Sequence, residues 1–164
     1  SPGKDTTAET ATKILFGCNK FYHCSYTDIF YRLNKSQIDH GIIIHESRNS
    51  VESRGFKTLY DLGKVWSEKN NHPLPLGCLI IKNKVDKKLR KYIISLIQDS
   101  ILWAKSNEKE VMQAIVKHSQ EKDINTVREH IDNFVTKETL SLSNKGINAI
   151  KYFIGELTKL NISN

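Results

Sequence analysis

A chain of 164 residues with 38% hydrophobic side chains can bury one sizeable core and is too apolar to remain disordered. Its net charge of +7 favours anionic ligands, but no nucleic-acid-binding motif accompanies the basic residues, and the dense run at 82–91, KNKVDKKLRK, reads as a solvated helix face. No apolar stretch approaches the roughly 18 residues of a membrane span, so neither nucleic acid nor membrane is expected as a partner.

The three cysteines, Cys18, Cys24 and Cys78, are odd in number and too few for a disulfide framework, which suits a reducing, cytoplasmic setting. Cys18, His23 and Cys24 have no second ligand pair at zinc-like spacing, so no metal site is expected. Ser1-Pro2-Gly3 lacks both an initiator methionine and the layout of a signal peptide, and the chain is expected to begin inside a longer one.

In chain order, KDTTAETATKILFG carries a capping box, Thr6-x-x-Glu9, then apolar spacing through Ala8, Ala11 and Leu15, with Gly17 as a stop. This predicts a first helix. A strand over 21–25, a helix in TDIFYRLNKSQ capped by Thr27, and a strand over 41–44 follow. Strand, helix, strand implies a parallel pair with a crossover, and ligands of such α/β sheets gather at the carboxyl ends of strands, where His45 falls.

Asp61 begins a short helix with Leu62, Val65, Trp66 and Lys69 at helical spacing, and Pro73 and Pro75 then force extended backbone before an apolar strand over 76–81. Four helices close the chain. Their apolar stripes are Leu89, Ile93, Leu96, Ile97 and Ile101; Val111, Ile115 and Val116; Ile124, Val127, Ile131 and Phe134; and Ile147, Ile150, Ile154 and Leu157. Asp86, the box Asn107-x-x-Glu110, Asp123 and Ser143 mark the starts. Some three strands cannot cover so many helical stripes, so an upstream segment or self-association is expected to supply the remainder.

Two places carry candidate chemistry. The turn SPGKDTTA opens a helix at which the N–H groups of Thr7 and Ala8 can receive a carboxylate or phosphate, although an ordinary capped helix has the same pattern. His45 could act as a general base with Glu46 or Ser47 holding its tautomer, while a satisfied structural histidine is the commoner role of such a residue.

PGKDTTA, DHGIIIHESR, DLGKVWSEKNNHPLPLG, REHIDNFV and GINAI together resemble, in order and spacing, the 1,4-dihydroxy-6-naphthoate synthase family of the futalosine route to menaquinone. The resemblance implies an α/β, type II periplasmic-binding-protein-like two-lobed fold: residues 1–105 as an α/β lobe and 106–164 as a helical segment packing on the other lobe. It implies a cofactor-independent lyase that converts cyclic dehypoxanthinylfutalosine, a carboxylated small molecule, to 1,4-dihydroxy-6-naphthoate and dihydroxyacetone. His45 is then the base, Thr7 and Ala8 the anion contact, and Glu46, Ser47 and Arg48 supporting residues of the cleft. The family's further N-terminal portion is not in this sequence, and Cys78 stands where glycine is expected. A solute-binding protein of the same fold and the related chorismate dehydratase are the alternatives.

Overall fold

A computed structural model describes residues 1–44, 48, 50–119 and 122–162. Among them lie eight helices: α1 (Thr7–Phe16), α2 (Tyr26–Asn34), α3 (Leu62–Asn70), α4 (Lys87–Ser106), α5 (Glu108–His118), α6 (Ile124–Phe134), α7 (Lys137–Leu140) and α8 (Asn144–Ile162). They fall into two compact units, Ser1–Leu76 with Ser143–Asn164, and Gly77–Leu142.

The expected α/β fold is overturned: no described residue belongs to a strand. The three segments read as strands, 21–25, 41–44 and 76–81, have extended or irregular backbone outside any ladder. Apolar alternation marks a segment that can pair, but a strand exists only when a second segment supplies its hydrogen bonds. Residues 76–81 illustrate the point, because Leu79 and Ile80 are 79% and 90% exposed where a central strand would bury them. Residues 22–24 are tied to the start of the chain by Cys24 N–H donating to Ser1 O at 3.2 Å.

Local chemistry accounts for the helix starts. The side chains of Thr6, Asp61 and Asp123 accept from the N–H three residues ahead, and Asp86 accepts from those of Lys88 and Leu89. The cap of α2 is Ser25, whose hydroxyl accepts from Asp28 N–H, and not Thr27, which lies inside the helix and shares a 2.9 Å hydroxyl contact with Ser25. Asn107 precedes α5 without a side-chain cap bond. The short α7 escapes the apolar-periodicity reading and is held by a reciprocal pair between Thr136 and Thr139.

The first unit packs around Trp66, which is fully buried with Ala11 and Leu15 of α1. Tyr152 and Phe153 of α8 close over its ring at centroid distances of 6.2 and 5.4 Å. Tyr152 Oη donates to Asn70 Oδ1 at 3.0 Å, and Asn70 Nδ2 donates to Trp66 O at 3.1 Å, so polar groups at the core's edge brace α3 against α8. Lys69 Nζ donates to Leu15 O at 3.2 Å near the end of α1, where carbonyls lack helical partners. The Gly17 cap, at φ 66°, then turns the chain away.

On α2, Ile29 and Phe30 are buried, and the segment that follows brings Arg54 and Phe56 against Phe30, with the Phe30 and Phe56 rings 5.7 Å apart and the Arg54 guanidinium 4.7 Å from the Phe30 ring. Segment 41–44 passes α2 at Gly41, where a Cβ would stand 2.4 Å from Ile29 Cγ2. Glycine permits this close approach.

The second unit contains α4 to α7. Met112 of α5 and Val127 of α6 are its buried apolar residues. Gln98 Nε2 donates to Leu140 O at 2.6 Å, Lys105 Nζ donates to Val135 O at 3.2 Å, and Arg128 pairs with Glu108. The predicted α4 stripe is divided: Ile93, Ile97 and Ile101 are half-buried, while Leu89 and Leu96 face solvent.

Candidate functional site

The first turn of α1 collects the described part of the candidate chemistry. Thr6 has extended backbone, its Oγ1 donates to Gly3 O at 3.1 Å, and the same oxygen accepts from Glu9 N–H at 3.3 Å. Asp5, at φ 59°, takes the left-handed conformation that Asp tolerates better than most residues, tightening the approach. Thr7 and Ala8 occupy the first two helical positions, whose N–H groups lie beyond the reach of the helical ladder. Both are half-buried. The positive end of the helix dipole lies at the same terminus.

Glu9 adds a feature that sequence reading did not show. Its side chain leaves the expected capping box and is 1% exposed, with Oε1 2.8 Å from Lys13 Nζ and Oε2 2.6 Å from His23 Nε2. Burial alone would push this carboxyl up; hydrogen bonds from Lys13, Ser1 and His23 outweigh it and hold the pKa down at about 2. Glu9 therefore remains a carboxylate near neutrality. An ionised carboxylate only accepts, so Nε2–H of His23 is the donor in this contact. The Glu9–Lys13 spacing of four was visible in the sequence as an ion-pair spacing, whereas His23, 14 residues from Glu9, gave no local signal.

The other expected residues are placed as follows. Arg48 is described and exposed. His45, Glu46 and Ser47 lie outside the described residues. Thr7 and Ala8 stand together at the terminus of α1, as their adjacency requires. Cys18, Cys24 and Cys78 are free thiols, and among the described residues no helix is long and apolar enough to cross a membrane.

The described part of the candidate site is thus a Thr6-capped helix start with a buried, ion-paired Glu9 carboxylate in its first turn. The comparisons make the assignment more specific. The sequence profile described as "Menaquinone biosynthesis" matches residues 1–159, and the chain belongs to that family. It is 24% identical over 155 residues to a 1,4-dihydroxy-6-naphthoate synthase of Thermus thermophilus, covering 94% of this chain and 57% of that protein. With the synthase of Streptomyces coelicolor it shares 25% identity over 126 residues, 77% of this chain and 45% of the relative. A crystal structure of an Archaeoglobus fulgidus protein superimposes with a TM-score of 0.91 at 23% identity, covering 98% of this chain and 61% of that one, which shows a shared fold. The chain thus spans about half the length of the curated relatives it matches.

Proposed function

We propose that the chain is the carboxylate-binding portion of a cytoplasmic 1,4-dihydroxy-6-naphthoate synthase, a carbon–carbon lyase acting on cyclic dehypoxanthinylfutalosine. The observation that supports the reading is the α1 terminus, where Thr6 Oγ1 accepts the Glu9 N–H and Thr7 and Ala8 fill the first two helical positions; in this proposal their N–H groups receive the substrate carboxylate. The relatives of the same family named as this synthase support it. His45 is the general base, removing a substrate proton so that the carbon–carbon bond can break and dihydroxyacetone depart, and Glu46, Ser47 and Arg48 orient it or line the cleft. No metal or organic cofactor enters the reaction as proposed. Turnover requires, in addition, a polypeptide equivalent to the part of the relatives this chain does not span.

The test combines this chain with that additional polypeptide and follows turnover of the cyclic substrate. His45→Ala is expected to lower kcat by about 10²–10⁴-fold with substrate affinity little changed, because a general base acts chiefly in the transition state. Thr7→Pro keeps a residue suited to the first helical position yet removes its N–H, so KM rises, while Thr7→Ser is mild. Unchanged turnover in His45→Ala would remove the base from the mechanism, and equal effects of the two Thr7 variants would remove the anion site. Tight binding of the substrate with no turnover would favour a solute-binding protein.

A further inference from the structure

The Glu9 carboxylate joins three pieces of the chain at the first turn of α1. Lys13, one turn further along the helix, has its Nζ 2.8 Å from Oε1; His23, on the 21–24 segment, has its Nε2 2.6 Å from Oε2; and Ser1 supplies a third hydrogen bond. The 21–24 segment is fastened beside them. The Ser1 ammonium donates to Tyr22 O at 2.8 Å, Cys24 N–H donates to Ser1 O at 3.2 Å, and Lys13 Nζ lies 5.3 Å from the centroid of the Phe21 ring.

His23 differs from the other members of this cluster in what pH does to it. Glu9, held at about 2, keeps its negative charge from mildly acidic pH upward, and lysine as a residue type keeps its positive charge well above neutrality. Histidine is the residue type whose charge changes between about pH 5 and 8. Glu9 occupies Nε2 of the His23 ring, the side chain is 40% exposed, and among the described residues Nδ1 has no hydrogen-bond partner. A proton can therefore enter at Nδ1 while the bond to Glu9 stays in place. The arrangement is kept and only the charge changes: Glu9 and Lys13 cancel, so the trio is neutral with His23 neutral and carries one positive charge with His23 protonated. Other charged or titratable groups on the elements packed here are the Ser1 ammonium, the Cys24 thiol beside His23, and Arg32 of α2, whose guanidinium lies 4.7 Å from the Tyr22 ring.

Ala8 and Thr7 are one and two residues before Glu9 in the same turn. At a rise of about 1.5 Å per residue, a carboxylate received at their N–H groups stands on the order of 10 Å from the trio, about one Debye length at ordinary ionic strength. We propose that His23 is a pH-sensitive charge switch for substrate binding, its protonation adding a positive charge beside the start of α1 and strengthening the hold on the substrate carboxylate through the field rather than by contact. The inference rests on the carboxylate-binding role proposed above for Thr7 and Ala8. It acts on affinity, whereas His45 acts on the bond-breaking step.

The test is calorimetric titration of the cyclic substrate into the chain, combined with the additional polypeptide and carrying His45→Ala, which separates binding from turnover and removes the titration of the base. Affinity is expected to rise about 3- to 10-fold between about pH 8 and pH 5.5, the size of one charge acting through a largely aqueous path, and the rise should shrink at high salt. His23→Gln keeps a donor for Glu9 but does not titrate, so its affinity should stay at the high-pH level throughout. His23→Lys keeps a donor and a constant positive charge, so its affinity should stay at the low-pH level. The Ser1, Cys24 and Arg32 groups are common to all three proteins, so any titration of theirs appears equally in each. Affinity independent of pH with His23 present, or the same pH dependence with His23→Gln, would overturn the switch. Weaker binding by Thr7→Pro alongside either result would leave the carboxylate site standing without it, whereas unchanged binding by Thr7→Pro would remove the site and the switch together.

Discussion

Glu9→Gln separates the charge of the buried carboxylate from its shape. The folded chain holds Glu9 at about 2, against 4.5 for an ordinary glutamate, so its ionised form stabilises the fold at any pH above the unfolded value. That contribution is present in full above about pH 4.5 and disappears as pH falls toward 2, because the folded carboxylate resists protonation longer than the unfolded one. A shift of this size corresponds to a ceiling of about 3 kcal/mol. Lys13 and His23 are 21% and 40% exposed and lose little when released to water, so the cost arises from the lost bonds to the carboxylate rather than from partners left stranded. Urea unfolding at pH 7 should therefore show Glu9→Gln less stable by about 2–3 kcal/mol, a gap that narrows steadily between pH 4.5 and pH 2. Parallel stability curves for the two proteins down to pH 2 would refute the ion-pair account, and an equally stable variant at pH 7 would show that the cluster contributes nothing net.

Two further changes test the packing of the first unit. Trp66→Ala empties the centre of the α1, α3 and α8 core and should cost about 3–5 kcal/mol in urea unfolding; a cost below about 1 kcal/mol would show that Tyr152 and Phe153 do not depend on that ring. Gly41→Ala drives a methyl to within 2.4 Å of Ile29 Cγ2 and should destabilise by about 1–3 kcal/mol, a penalty that shrinks in an Ile29→Ala background where Cγ2 is gone, whereas simple additivity of the two variants would place the strain elsewhere.

What the sequence determined by itself is what neighbouring residues settle. Thr6, Asp61, Asp86 and Asp123 announce their helices because a short oxygen-bearing side chain reaches an N–H two or three residues ahead, an interaction complete within one turn. Ser25 and Thr27 show the limit of that reasoning, since both suit the cap and only the path of the chain into α2 selects Ser25. The position of Thr7 and Ala8 at the start of α1 was legible for the same local reason. Tertiary structure decided the remainder. Whether an apolar run such as 41–44 or 76–81 becomes a strand depends on a partner segment distant in sequence, and alternation alone carries no information about whether one is present. Glu9 satisfies the pattern of a capping box, yet His23 and Lys13 draw its carboxylate into the fold, a choice made by a residue 14 positions away. Trp66 likewise reads as one member of a short helical stripe, and it becomes the centre of a core only when Tyr152 and Phe153 arrive from the far end of the chain. Local hydrogen bonds are encoded within a few residues, whereas burial and charge pairing depend on which distant surfaces meet.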